Sequence, residues 1–220
     1  MIASDIISHD VLPLRTSDTG DTALGIMADF FIQHLPIVNN EQLLGLISET
    51  DILDQDQGEA VGSYQLSLTR PYVKDGDHIY EVLRVLHEFK LTIVPVVDAE
   101  DNYLGMITQA DLLRFFAQTG SFTEPGSILV LEMSRRDYSL AEISRIVESE
   151  SAAVLSCYVT SALSEDNNID VTIKINRQEI ARIIAAFERY DYRIKASFQE
   201  TEYFETLKDR YDSLLNYLNV

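Results

Sequence analysis

His34-Leu-Pro-Ile-Val-Asn-Asn-Glu-Gln-Leu-Leu-Gly-Leu-Ile-Ser-Glu-Thr-Asp-Ile-Leu53 recurs later in the chain as Ile93-Val-Pro-Val-Val-Asp-Ala-Glu-Asp-Asn-Tyr-Leu-Gly-Met-Ile-Thr-Gln-Ala-Asp-Leu-Leu113. Pro36 matches Pro95, Gly45 matches Gly105, Ser48 matches Thr108 and Asp51 matches Asp111. The second copy carries one extra residue in the turn before its glycine. A unit that occurs twice in register implies two similar halves packed face to face, with paired clefts between them. Those clefts are where function is to be sought.

Working outward from the first copy, Val11–Leu14 is a short apolar run and Thr16–Asp21 is rich in turn and cap residues. Ala23, Leu24, Met27, Phe30 and Phe31 then follow at helical spacing. His34–Val38 and Leu43–Ile47 read as two strands joined by a polar turn, and a short helix is expected from Ser48 to Asp54. The order is β-α-β-β-α. Residues 72–116 repeat it, with Ile79, Val82, Leu83, Leu86 and Phe89 on the longer helix. Gln55–Thr69, with Gly58 and Gly62, reads as a linker. The first repeat is thus expected over residues 1–57, and the linker with the second repeat over 58–120.

A different pattern begins after Gly126. Strands are expected at Ser127–Met133, Ala153–Thr160, Ile169–Ile175 and Tyr192–Phe198, and helices at Ser139–Glu150 and Gln178–Tyr190. Over residues 126–198 this is the β-α-β-β-α-β order of a ferredoxin-like domain. Residues 199–220 are expected to form a final amphipathic helix through Phe204, Leu207, Tyr211, Leu214 and Leu218. The fold class is α+β with α/β character.

Composition narrows the function. An apolar fraction of 46% is enough for a real core, and a net charge of −19 argues against nucleic-acid surfaces and anionic membranes as partners. The single cysteine, Cys157, permits no internal disulfide. The N-terminus lacks the basic-then-apolar pattern of a signal peptide, and no apolar run reaches the roughly 18 residues of a spanning helix. A cytoplasmic setting is expected. His9, His34, His78 and His87 show no metal-ligand spacing, and no nucleophile elbow, P-loop or zinc-protease motif is present.

The Gly-h-h-Ser/Thr-x-x-Asp pattern after a Pro-h-Val strand resembles the CBS domain, and two copies resemble a CBS pair, or Bateman module. Residues 126–198 resemble an ACT domain through their element order and Ser139-Leu-Ala-Glu-Ile-Ser. The combination is similar to bacterial CBS–ACT proteins related to acetoin-utilisation regulators. The resemblance implies a small-molecule sensor for adenosine-containing ligands and no catalytic residue. It also implies that the motif aspartate, Asp51 or Asp111, holds a ribose while Ser48 or Thr108 contacts phosphate. Chemistry agrees: a carboxylate accepts hydroxyl protons, and a helix N-terminus with a hydroxyl seats an anion. The same residues also spell helix caps, a role that can coexist with ligand contact.

Shifting by the offset between Pro36 and Pro95 places Lys74 on Arg15. Both halves therefore carry a cation just before a turn, read either as surface charge or as phosphate neutralisation. So few cations favour adenosine monophosphate, or a neutral-to-cationic adenosyl ligand such as S-adenosylmethionine. ATP would need magnesium to bridge its phosphates. No cofactor is required. Where amino-acid-binding ACT domains carry Asp-Arg-Pro-Gly, this chain has Arg135-Arg-Asp-Tyr138. Tyr138 replaces the glycine that admits the ligand to the backbone, so dimerisation is the expected role of that domain. The overall expectation is a homodimeric regulator of an unknown protein target. The rivals are an empty structural CBS–ACT scaffold and, further off, an enzyme with an unfamiliar site.

Overall fold

The computed structural model describes residues 1–67, 70–161 and 168–199. The chain divides into two compact units, Met1–Ala117 and Gln118–Val220.

In the first unit, helix α1 (Gly20–Phe30) leads into an antiparallel hairpin of β1 (His34–Asn39) and β2 (Gln42–Ser48), followed by the short helix α2 (Glu49–Leu53). Asn40 and Glu41 take positive φ, as a two-residue hairpin turn requires. The second half repeats this as β3 (Val73–Lys74), α3 (Ile79–Glu88), β4 (Ile93–Val97), β5 (Tyr103–Thr108) and α4 (Gln109–Ala117). The edge strand expected around Val11–Leu14 shrinks to one parallel bridge between Leu14 and Ile37. Its counterpart, β3, pairs Val73 with Val96. The two bridges occupy the same register. The repeat read from sequence is therefore a repeat of backbone.

The chain ahead of each half is hydrogen-bonded to the other half. A 3-10 turn at Ala3–Ile6 donates from Ala3 N–H to the Asp77 carbonyl at 2.8 Å, and Ser8 bridges Met106 on β5. In the linker, a matching turn at Val61–Ser63 donates from Val61 N–H to the Asp18 carbonyl at 2.8 Å. Gly62 N–H likewise donates to the Thr16 carbonyl at 3.0 Å, so this part of the linker is tied to the first half. The exchange joins the halves into one core of Leu35, Leu46, Ile47 and Ile52 with Ile79, Ile93, Val94 and Ile107, all fully buried. Each such side chain contributes about 2 kcal/mol by leaving water. At the seam, Thr92 N–H donates to His34 Nδ1 at 3.2 Å and Gln33 N–H to Thr92 Oγ1 at 2.9 Å.

The second unit opens with a short helix, α5 (Gly120–Thr123), which the glycine-rich sequence hid. Then follow β6 (Ser127–Ser134), α6 (Leu140–Ser149), β7 (Val154–Ser161), β8 (Asn168–Ile175), α7 (Ala181–Arg189) and β9 (Arg193–Gln199). The sheet order is β7-β8-β6-β9, antiparallel throughout, which is the ferredoxin-like arrangement. Alternation along β6 and β8 sends Leu129, Leu131, Val171 and Ile173 into a core with Ile143, Ile146, Ile183 and Phe187. Helix α7 begins at Ala181, three residues after the expected Gln178. Of the amphipathic helix expected in residues 199–220, Gln199 is the last residue of β9 and residues 200–220 lie outside the described residues. No helix among the described residues is long and apolar enough to cross a membrane.

Candidate functional site

Each motif sits where the second strand of a hairpin hands over to a helix. Ser48 ends β2 with extended φ and ψ and caps α2. Its Oγ accepts from Asp51 N–H at 3.1 Å and donates to Asp51 Oδ2 at 2.7 Å, while Ser48 N–H donates to the same oxygen at 2.9 Å. Thr108 and Asp111 repeat the arrangement at 3.0, 2.7 and 3.1 Å. Both motifs are reciprocal caps, with aspartate in the place where glutamate is usual. Each hydroxyl proton is already given to the carboxylate, so the hydroxyl would have to rotate to donate to a phosphate.

The two carboxylates differ in what their second oxygen faces. Asp51 Oδ1 accepts from the backbone of Ser67 at 3.1 Å, and the residue is only 7% exposed. Leu66 lies over Gly45, where a Cβ would come within 2.7 Å of its Cδ1. Burial opposes ionisation of Asp51, but the hydrogen bonds from Ser48 and Ser67 prevail and hold its carboxyl below the usual value. Asp111 Oδ1 instead meets Arg114 Nη1 at 2.8 Å, with the arginine side chain 64% exposed. The flanking charges differ as well. In sequence, Asp51 is flanked by Glu49 and Asp54; the matching positions beside Asp111 are Gln109 and Arg114. The first set carries three negative charges and the second none net, so an anionic ligand is opposed more strongly at the first.

Arg15 and Lys74 are equivalent, as the sequence offset implied. Arg15 N–H donates to Asp18 Oδ2 at 2.7 Å and Lys74 N–H to Asp77 Oδ2 at 2.8 Å. Neither cation lies beside the motif of its own half. Lys74 pairs with Val97 and Thr108 with Ile93, at opposite ends of β4 and about 13 Å apart along the strand. Arg15 follows Leu14, which pairs with Ile37, while Ser48 pairs with His34 at the other end of β1. Phosphate neutralisation by either cation is therefore not served from beside the motif of its own half. The cation that does sit at a motif is Arg114, readable in the sequence only as the third residue after Asp111. Leu35, Ile37, Val94 and Val96 are core residues, at most 4% exposed.

Sequence reading also missed Ile7 and His9, which lie against Gly105 beside the second motif. Gly105 has φ +154°, and a side chain there would collide with Ile7. Burial pushes the His34 imidazole down in pKa, against the opposing pull of Asp51. Among the described residues there is no group of three or more His, Cys, Asp or Glu able to hold a metal. In the second unit, Tyr138 packs against the core with its hydroxyl 3.9 Å from Cys157 Sγ.

The helices of the first unit leave two related apolar clefts. One is lined by Leu24, Met27, Phe31 and Leu53; the other by Leu83, Leu86, Leu113 and Phe116. Phe31 is 94% exposed and Leu113 72%.

Comparison with known proteins agrees with the duplicated backbone. An inosine-5′-monophosphate dehydrogenase of Thermoplasma acidophilum is 26% identical over 184 residues, 82% of this chain and 36% of that protein. One of Methanocaldococcus jannaschii is 28% identical over 116 residues, 51% of this chain and 23% of that protein. The chain thus spans about a third or less of these curated relatives. Among solved structures, a CBS domain pair/ACT domain protein of Thermotoga maritima is 23% identical, with TM-score 0.48 over 54% of this chain and 98% of that one. CBSX2, from Arabidopsis thaliana and solved in complex with AMP, is 25% identical, with TM-score 0.46 over 53% of this chain and 96% of that one. The CBS domain model matches twice, over residues 3–58 and 64–118, about half of the chain, and the chain belongs to the CBS domain family.

Proposed function

We propose that this CBS-pair protein is a non-catalytic regulator that binds an adenosine-type ligand, adenosine monophosphate in the first place, at its second motif. The observation that carries the reading is the asymmetry between two otherwise superposable motifs. Asp51 is closed over by Ser67 and has Glu49 and Asp54 near it in sequence; Asp111 faces an exposed arginine. In the proposed complex Asp111 Oδ1 accepts from ribose hydroxyls, and the displaced Arg114 guanidinium turns to the phosphate. Exchanging a surface ion pair worth at most about 1 kcal/mol costs little. Opening the Asp51 cleft would cost a buried hydrogen bond.

The ligand acts by favouring one packing of the two halves over another, which requires different affinity for the two arrangements. We read the second unit as an ACT-like module that relays this change. Its element order supports that, and Tyr138 at the glycine position argues against amino-acid binding. We assign homodimerisation to the paired apolar clefts of the first unit, since a repeat-symmetric apolar face is suited to two-fold association. The test of ligand class is thermal melting of the full chain. AMP at about 100 times its dissociation constant should stabilise by about 2.7 kcal/mol, and inorganic phosphate should not. No shift with any adenosine derivative would leave the empty-scaffold reading in its place.

A further inference from the structure

A cleft of 620 Å³ opens beside Arg15, lined by Leu12, Pro13, Thr16, Ser17, Val38, Asn39 and Asn40 together with Leu14. It contains none of the four motif residues. Three observations set it apart. The Arg15 guanidinium has no partner among the described residues, and neither do the side chains of Thr16, Ser17, Asn39 and Asn40. No carboxylate lines the cleft, in a chain with 36 acidic residues. The internal repeat supplies a control.

Leu14 and Val73 hold the same register, so the equivalents of Arg15, Thr16 and Asn39 are Lys74, Asp75 and Asp98. On the same backbone, the second half flanks its cation with two carboxylates, and the first half has neutral hydrogen-bonding groups in their place. Asp98 is occupied with its own turn, accepting from Asn102 N–H at 2.8 Å and Nδ2 at 2.9 Å. The first half thus presents a guanidinium with no ion-pair partner among the described residues, amides and hydroxyls that can donate, and an apolar wall of Leu12, Pro13 and Val38. We propose that this cleft is a second binding site, separate from the adenosine cleft, for a small organic oxyanion. The guanidinium forks onto a phosphoryl or carboxylate group, and the apolar wall takes the ligand's body.

The site is tested by amide chemical-shift mapping on the full chain with phenyl phosphate, benzoate and phenol as probes. Either anion should give saturable shifts at Thr16, Ser17, Asn39 and Asn40, and phenol should not. Whichever anion binds more tightly names the oxyanion. Arg15→Gln should weaken binding by about tenfold or more, the worth of a charge-assisted contact. Lys74→Gln and Asp111→Asn should leave it unchanged, which separates this site from the proposed adenosine site. Thr16→Asp with Asn39→Asp imports residues the second half already carries on the same backbone, and should abolish binding while the protein stays folded. No saturation by either anion at millimolar concentration, an equal response to phenol, or binding that survives Arg15→Gln would overturn the proposal.

Discussion

Asp51→Asn and Asp111→Asn remove the same charge from the same motif position, so their effects on global repulsion cancel in comparison. Their local consequences should not match. Asp51 accepts three hydrogen bonds while almost fully buried, one of them from the Ser67 backbone. An amide keeps one acceptor oxygen and turns the other corner into a donor. If Nδ2 faces Ser67, two N–H groups oppose each other; if it faces Ser48, the cap is lost. Either way one charge-assisted bond goes and a buried donor is left unpaired, costing about 2–3 kcal/mol. At Asp111 the cap can persist through the remaining oxygen, and the bond lost is to an exposed arginine, so the cost should be about 1 kcal/mol or less. At about 4 °C per kcal/mol for a unit of this size, Asp51→Asn should lower its melting temperature by roughly 10 °C and Asp111→Asn by roughly 4 °C or less. Amide hydrogen exchange supplies a local check, since Ser67 should exchange faster in Asp51→Asn alone. Equal melting temperatures with an unaltered Ser67 amide would refute the closed geometry assigned to the first motif.

The other expectations concern protons and assembly. His34 has a folded pKa pushed below its unfolded value, so the unfolded chain binds the extra proton first, and this contribution to stability is lost as pH falls from about 6.5 through the lower folded value. His34→Asn keeps an acceptor for Thr92 N–H without titrating, so denaturation between pH 5 and 8 should show a shallower slope on the acid side; an unchanged slope would remove His34 from the account. Light scattering of the parent at micromolar concentration should give a dimer mass. Leu113→Asp together with Phe31→Asp should give a folded monomer, and a variant that remains dimeric would show that the apolar clefts are not the interface.

Much of the architecture was legible because a duplicated segment tests itself. Each of the paired positions Pro36 and Pro95, Gly45 and Gly105, Ser48 and Thr108 constrains the other, and a chance pattern does not recur in register. The alternation in Ile169–Ile175 was equally plain, since one face of β8 is core. What escaped was non-local. The offset that equates Arg15 with Lys74 is right, but equivalence does not say at which end of a strand a residue lies, and both cations fall at the end away from the motif. The exchange of Ala3 onto Asp77 and Val61 onto Asp18 uses backbone groups, which leave no mark in side-chain pattern. Arg114 was visible as a letter, yet its meaning depends on Asp54 standing at the same place in the other half.

The measurement that bears most directly on the proposed function is calorimetric titration of AMP into the parent, Asp111→Asn, Arg114→Ala and Asp51→Asn proteins, each first shown to be folded at the titration temperature. The parent should bind with saturable heat. Asp111→Asn and Arg114→Ala should each weaken binding by about tenfold or more, the loss of one charge-assisted hydrogen bond. Asp51→Asn should bind as the parent does. AMP binding that is unaffected by Asp111→Asn and Arg114→Ala but lost in a folded Asp51→Asn would place the ligand in the other cleft, and absence of AMP binding to the parent would contradict the adenosine-sensor account itself.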